Sequence, residues 1–145
     1  WMDLISGGQV VHAGTYNSNP VVIAAGLATV RHLKEHRATI YPRLYQLADQ
    51  LRDGLRSSFE KAGLPALMGG LGPVVQVSLT ETSILRDYRD WIRRDTATYQ
   101  RLVAQLVPLG VRTITRGTWY LSTAHTEEDV QSTLQKVDSV LKQEG

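Results

Sequence analysis

The sequence predicts an α+β domain: a small antiparallel sheet covered by helices on one face. Three observations lead there. Helical and alternating hydrophobic periods succeed one another along the 145 residues, the strand-like runs neighbour each other around tight turns rather than in regular βαβ units, and the length suits one ordinary core.

The elements follow in order. Residues 1–19 are polar and Gly-rich and do not fit the unit; the opening Trp1-Met2-Asp3-Leu4 lacks the basic head and apolar run of a secretory signal, and reads as an arm leaving another domain after a cut inside a longer protein. Asn19-Pro20 then starts a helix, a capping side chain before a proline at the first helical position. Val22, Ile23, Gly26, Leu27, Val30 and Leu33 carry it to about Arg37, with Arg31, His32, Lys34 and Arg37 in its last turns, where the dipole favours cations. A second helix begins near Thr39. Leu44, Leu47, Leu51, Leu55, Phe59 and Ala62 form its apolar stripe, and Gly63 and Pro65 stop it. Behind a loop at Gly69-Gly70-Leu71-Gly72, Val75, Val77 and Leu79 alternate with Gln76 and Ser78 as a half-buried strand.

A charged, aromatic segment from Arg86 to Arg94 leads into a third helix with Tyr99, Leu102, Val103 and Leu106 inside and Pro108 and Gly110 closing it. Two short strands, Val111 to Ile114 and Thr118 to Ser122, flank a turn at Arg116-Gly117. The final helix opens on Thr126-Glu127-Glu128-Asp129 and buries Val130, Leu134, Val137 and Leu141. Residues 20–145 thus read as one small domain with its leading helix.

Composition removes whole classes of function. Hydrophobic residues at 42% and charged residues at 21% exclude disorder. Sixteen Lys and Arg against fourteen Asp and Glu leave a formal charge of only +2, so no nucleic-acid partner is expected. The absence of cysteine excludes disulfides and thiolate zinc sites and favours a reducing, cytoplasmic setting. The longest apolar stretch, Val21 to Val30, is too short to cross a bilayer, so no membrane contact is expected.

His12-Ala13-Gly14-Thr15-Tyr16-Asn17-Ser18-Asn19-Pro20 is the most informative stretch. Gly14 lets a phosphate oxygen approach the backbone, Thr15 offers an N–H and an O–H, and the helix end adds partial positive charge. The same pattern also makes a plain turn and cap. Arg116, between two strands, has the fork that grips a carboxylate through two parallel hydrogen bonds, and equally the placing of an exposed turn arginine.

Three other groupings read as structural. His32 and His36 are four apart on one helix without a third metal ligand, so no metal is expected. Ser122, His125 and Asp129 are close in sequence, but Thr126 to Asp129 is explained as a helix cap. Tyr88, Arg89, Trp91, Arg93 and Arg94 mix aromatics with cations, but Asp87, Asp90 and Asp95 cancel the field.

The run from His12 through Pro20 to Thr29 resembles the "GT…NP…AAG.AT" segment of the class III pyridoxal-phosphate aminotransferases, especially their glutamate-1-semialdehyde aminomutase-like branch. Tyr120-Leu121-Ser122-Thr123-Ala124-His125-Thr126-Glu127-Glu128-Asp129-Val130 is similar to that branch's C-terminal "S.AH..ED" segment. Order and spacing agree across nearly the whole chain. The resemblance implies the C-terminal domain of a fold-type I enzyme, a homodimer, pyridoxal 5'-phosphate as cofactor and an amino-acid or keto-acid substrate. It assigns Gly14 and Thr15 to the cofactor phosphate of the neighbouring subunit, and places the Schiff-base lysine and the aspartate facing the pyridine nitrogen upstream of this chain. Lys34, Lys61, Lys136 and Lys142 fall on polar helix faces or ends, so no catalytic residue is assigned within the chain and no activity to the chain alone.

Members acting on β-amino acids resemble this chain in an Arg before the Trp-Tyr-Leu-Ser strand, which implies substrate binding by Arg116. Aminomutase-type sequences tend to carry an acid nearby, and Gly117 and Thr118 supply none. Amino-group transfer is therefore preferred over mutase chemistry. A non-catalytic interaction module using the Arg86–Asp95 face is the alternative from another class.

Overall fold

The computed structural model describes residues 2–142. Trp1, the start of the expected arm, and Gln143, Glu144 and Gly145, the end of the expected small domain, lie outside the described residues. The chain divides into two compact units, 1–38 and 39–145.

In the first unit α1 (Met2–Ser6) is followed by a loop and then α2 (Pro20–Glu35). Asn19 starts α2 as expected: its side-chain oxygen accepts from the N–H of Val21 at 3.0 Å and of Val22 at 3.3 Å, and its carbonyl from Ile23 at 3.0 Å. The helix stops at Glu35, with the His36 N–H closing on the His32 carbonyl. No residue of α2 is buried, and Val21, Ile23 and Val30 are each more than half exposed.

The second unit is built around three strands. α3 (Arg37–Lys61) buries Leu44, Leu47, Leu51, Leu55 and Phe59, the stripe its spacing predicts, and carries Pro42, which removes one backbone hydrogen bond near its start. β1 (Ala66–Leu71) and β2 (Val74–Leu79) form an antiparallel hairpin in register from Ala66↔Leu79 to Leu71↔Val74. The expected loop at Gly69-Gly70-Leu71-Gly72 is therefore mostly strand. Its glycines mark close approach, not a break: a Cβ on Gly70 (φ 105°) would lie 2.0 Å from the Val74 carbonyl oxygen.

After α4 (Tyr88–Ile92) and α5 (Thr96–Leu106), β3 (Thr118–Tyr120) joins β2 antiparallel, giving the order β1-β2-β3. The expected strand over Val111 to Ile114 is absent. Ile114 donates one backbone bond to the Thr118 carbonyl, which also accepts from the Thr113 hydroxyl at 2.9 Å, but the Ile114 carbonyl is turned to the Gly117 N–H at 2.8 Å and the pairing goes no further. α6 (Glu127–Leu141) closes the unit with a complete capping box between Thr126 and Asp129.

Val75, Val77 and Leu79 share one buried cluster with Phe59 and Leu55 of α3, Leu102 and Leu106 of α5, Trp119 of β3, and Val130 and Val137 of α6. This confirms the α+β class. Each such side chain contributes about 1.5–3 kcal/mol when fully buried. The Trp119 indole N–H donates to the Tyr99 hydroxyl at 2.8 Å, and burial pushes that hydroxyl's pKa up to about 12, so it stays neutral. Leu134, expected inside, is only partly buried but packs on this cluster.

α3 and α6 meet at a glycine. A Cβ on Gly54 would fall 2.3 Å from Leu134 Cδ1. Gly54→Ala should therefore destabilise the fold by about 1–3 kcal/mol despite the better helix propensity of alanine. Leu134→Ala in the same chain should recover part of the loss, read as thermal midpoints of the two variants; a Gly54→Ala protein that melts higher than wild type would show that Leu134 moves aside freely.

Candidate functional site

In the first unit the stretch around Gly14 is a tight turn. Asn17 donates its N–H to the Gly14 carbonyl at 2.9 Å, and Asn19 donates to Tyr16 at 3.2 Å. Ser18 takes φ 61°, an uncommon conformation for a residue with a side chain. A Cβ on Gly14 would lie 3.1 Å from the end of the exposed Asn17 side chain. Gly14 and Thr15 are exposed, and the N–H and hydroxyl of Thr15 have no hydrogen-bond partner among the described residues.

The neighbouring helix end differs from the sequence expectation in one respect. Pro20 has no N–H, and those of Val21, Val22 and Ile23 all go to Asn19. The start of α2 can lend an anion its field but none of these donors. Of the donors at this turn, those of Thr15 are the ones left unengaged.

Arg116 belongs to the second unit and sits in the turn before β3. Its side chain is exposed and unpaired among the described residues, while its backbone is held. The Arg116 carbonyl accepts from Gln76 Nε2 at 2.9 Å and from an Arg94 guanidinium nitrogen at 3.1 Å. Gly117 (φ 99°) donates to the Ile114 carbonyl at 2.8 Å and accepts from the Val77 N–H at 2.8 Å. A Cβ there would come within 2.0 Å of the Val77 oxygen. The turn is a fixed mount for a free guanidinium, which is what bidentate carboxylate binding requires.

Sequence reasoning missed what holds this mount. Arg94 appeared as one cation in a solvated segment, yet it is buried, its guanidinium 3.3 Å from the centroid of the Trp91 ring. Loss of solvation draws its pKa below the usual arginine value. The signal was there in Gln76 and Ser78, the polar positions of an otherwise buried strand, since buried polar side chains need partners.

The Ser122–His125–Asp129 grouping is a turn lock. His125 Nδ1 accepts from the Ser122 N–H at 3.0 Å and lies 3.0 Å from its hydroxyl, so the ring proton sits on Nε2. The Asp129 carboxylate is taken by the N–H and hydroxyl of Thr126, at 2.8 and 2.9 Å. Arg43 reaches the carbonyls of Thr123 and His125, tying this turn to α3. On α2, the His32 and His36 rings pack against each other with centroids 4.4 Å apart. Among the described residues no helix is long and apolar enough to cross a membrane.

The chain is similar to known proteins. The chain is 35% identical over 142 residues to a glutamate-1-semialdehyde 2,1-aminomutase of Thermus thermophilus, covering 92% of this chain and 31% of that protein. It is 31% identical over 138 residues to the Persephonella marina aminomutase, covering 94% and 32%. The chain resembles these enzymes over nearly its whole length. Among solved structures, a transaminase with bound pyridoxal phosphate superposes with a TM-score of 0.75 at 27% identity, over 93% of this chain and 30% of that one. An omega-transaminase from Sphaerobacter thermophilus gives 0.73 at 26%, over 92% and 30%. No family model matches. The resemblance carried by the two sequence motifs is thus confirmed, and the chain spans about a third of the length of the curated relatives it matches.

The capping box makes a pH dependence. Hydrogen bonds from the Thr126 backbone and side chain hold the Asp129 carboxyl below the usual carboxylate range. The folded form therefore binds this proton less tightly than the unfolded chain, so the contribution is present above the ordinary aspartate pKa of about 3.9 and fades as pH falls below it. The thermal midpoint of Asp129→Asn should lie below wild type at neutral pH, and the gap should narrow progressively as pH falls below about 3.9. A gap that is constant with pH would remove the carboxylate from the cap.

Proposed function

We propose that this chain is the C-terminal domain of a cytoplasmic, homodimeric pyridoxal-phosphate-dependent aminotransferase. The observation that carries the reading is the free Arg116 guanidinium on a turn locked at both ends, in a chain whose similarity to aminomutases and transaminases runs nearly its full length.

The residues present fit the cofactor's phosphate. Gly14 has no side chain to obstruct an oxygen, and Thr15 brings two unengaged donors of the kind a phosphate monoester accepts. In the dimer, these two residues hold the phosphate bound to the neighbouring subunit. Pyridoxal phosphate, when bound, supplies the electron sink for amino-group transfer. Arg116 binds the substrate carboxylate and orients the amino-bearing carbon, and a β-amino acid is the substrate class we favour. The lysine that carries the cofactor lies in the part of the parent protein outside this chain.

Mutase chemistry is the second reading, favoured by the names of the curated relatives. Against it stands the turn itself: Arg116 is followed by Gly117 and Thr118, with no carboxylate beside the guanidinium.

Two variants of the full-length protein separate the roles. Thr15→Ala removes one hydrogen bond to a charged acceptor, about 1.5–3 kcal/mol, and should weaken coenzyme binding roughly tenfold to a hundredfold. The backbone donor survives, so excess coenzyme should restore much of the turnover. Arg116→Ala should raise KM for a carboxylate substrate and leave coenzyme retention intact. Titration with pyridoxal phosphate and steady-state kinetics read both. An unchanged coenzyme dissociation constant in Thr15→Ala would reduce Gly14-Thr15 to a helix-starting turn.

A further inference from the structure

Among the described residues Arg94 is the charged side chain the fold buries, about 8% exposed. A guanidinium stays charged at any physiological pH, so burying it costs solvation that a carboxylate usually offsets. Among the described residues no carboxylate pairs with it. Its contacts are different in kind. Nε donates to the Trp91 carbonyl at 2.8 Å, the guanidinium carbon lies over the Trp91 ring at 3.3 Å from its centroid, and one terminal nitrogen donates to the Arg116 carbonyl at 3.1 Å while standing 3.5 Å from Ser78 Oγ.

An apolar side chain would fill this space without the solvation cost, so the charge calls for a reason. The Arg116 carbonyl supplies one. It accepts from two side chains of different elements, Arg94 before α5 and Gln76 on β2, and Gln76 is itself fixed through its Oε1 by the Thr118 hydroxyl at 2.8 Å. On the other side of Arg116, Gly117 is bonded through both its N–H and its carbonyl. The backbone from which the Arg116 side chain springs is thus held by Arg94, Gln76 and the sheet together.

We propose that Arg94 is a positioning residue for carboxylate recognition: it fixes the main chain of Arg116, and through it the place where the guanidinium meets the substrate's carboxylate. This rests on the reading that Arg116 binds that carboxylate. Arg94 itself touches no substrate. Lysine could keep the charge but could not reproduce the bond from Nε to Trp91 together with the one to Arg116.

The test uses the full-length holoenzyme and two measurements. Hydrogen exchange over residues 113–118 reports the turn directly: Arg94→Gln should speed exchange of the Gly117 N–H about tenfold, and Arg94→Lys less. Unchanged exchange in Arg94→Gln overturns the proposal. The second measurement is the ratio of KM for 3-amino-3-phenylpropanoate to KM for 1-phenylethylamine, the same amine without its carboxylate. Arg94→Gln should raise this ratio about tenfold in the presence of Arg116 and leave it unmoved when combined with Arg116→Ala. An equal rise in both backgrounds means that Arg94 acts on the fold at large, and sinks the positioning role. If Arg116→Ala alone leaves the ratio unchanged, the carboxylate reading of Arg116 fails instead, while the exchange result still decides whether Arg94 holds the turn.

Discussion

Everything in the second unit depends on β2. Both other strands pair with it, and its Val75, Val77 and Leu79 enter the same core as the inward residues of α3, α5 and α6. A central strand of six residues can do this only while its register is fixed, because a slip of one residue would turn the valines away from the α3, α5 and α6 core and put Gln76 and Ser78 in their place. The register has two independent locks. On the β1 side the close approach at Gly70 admits no side chain, and on the β3 side Gln76 bonds to Thr118, Arg116 and its neighbour Val77. The residue that pins the register is therefore also one that pins the Arg116 turn. Folding and site construction share the same bonds.

That sharing explains why some parts of the molecule were legible in the sequence and others were not. The helices were read because their signals are local: Asn19 before Pro20, the stripe from Leu44 to Phe59, and Thr126 with Asp129 act within a few residues. The strand at Ala66–Leu71 was missed because nothing local makes Ala-Leu-Met-Gly-Gly-Leu a strand; pairing with β2 imposes it, and Gly70 is required by a carbonyl on that other strand. The opposite error befell Val111 to Ile114. Its β-branched residues have the propensity, but the Ile114 carbonyl that a ladder would use is taken by the Gly117 N–H of the turn. Leu134 looked like core by period and ended at its edge, facing a glycine that period alone does not notice.

The candidate site divides in the same way. Gly14, Thr15 and Arg116 were found as residues, through their chemistry and a family resemblance. What holds Arg116 was not found, since it is made by contacts 22 and 40 residues away in the chain. Arg94 is the clearest case. In sequence it is one of several cations among acids; in the structure it leaves that group and turns inward. The difference lies in Trp91 and Ser78, which give a guanidinium a flat apolar face and a polar neighbour, and no sequence period reports such a pocket.

The two mounts differ in a way that matches what each is proposed to recognise. Thr15 sits in an exposed turn, and the N–H groups of Val21, Val22 and Ile23 that could have reinforced an anion site are already taken by Asn19. A phosphate monoester tolerates this, because it offers several equivalent oxygens and draws its donors from many directions. A single carboxylate has one plane and two acceptors, and discrimination between substrates depends on holding the guanidinium within about half an ångström of the productive place. The chain concentrates its constraints accordingly. Arg116 has its carbonyl doubly bonded, a glycine with no room for a side chain behind it, and a buried arginine bracing it. Rigid backbone under a mobile side chain is how a fold keeps an arginine aimed without burying it, and so leaves its charge available to a ligand.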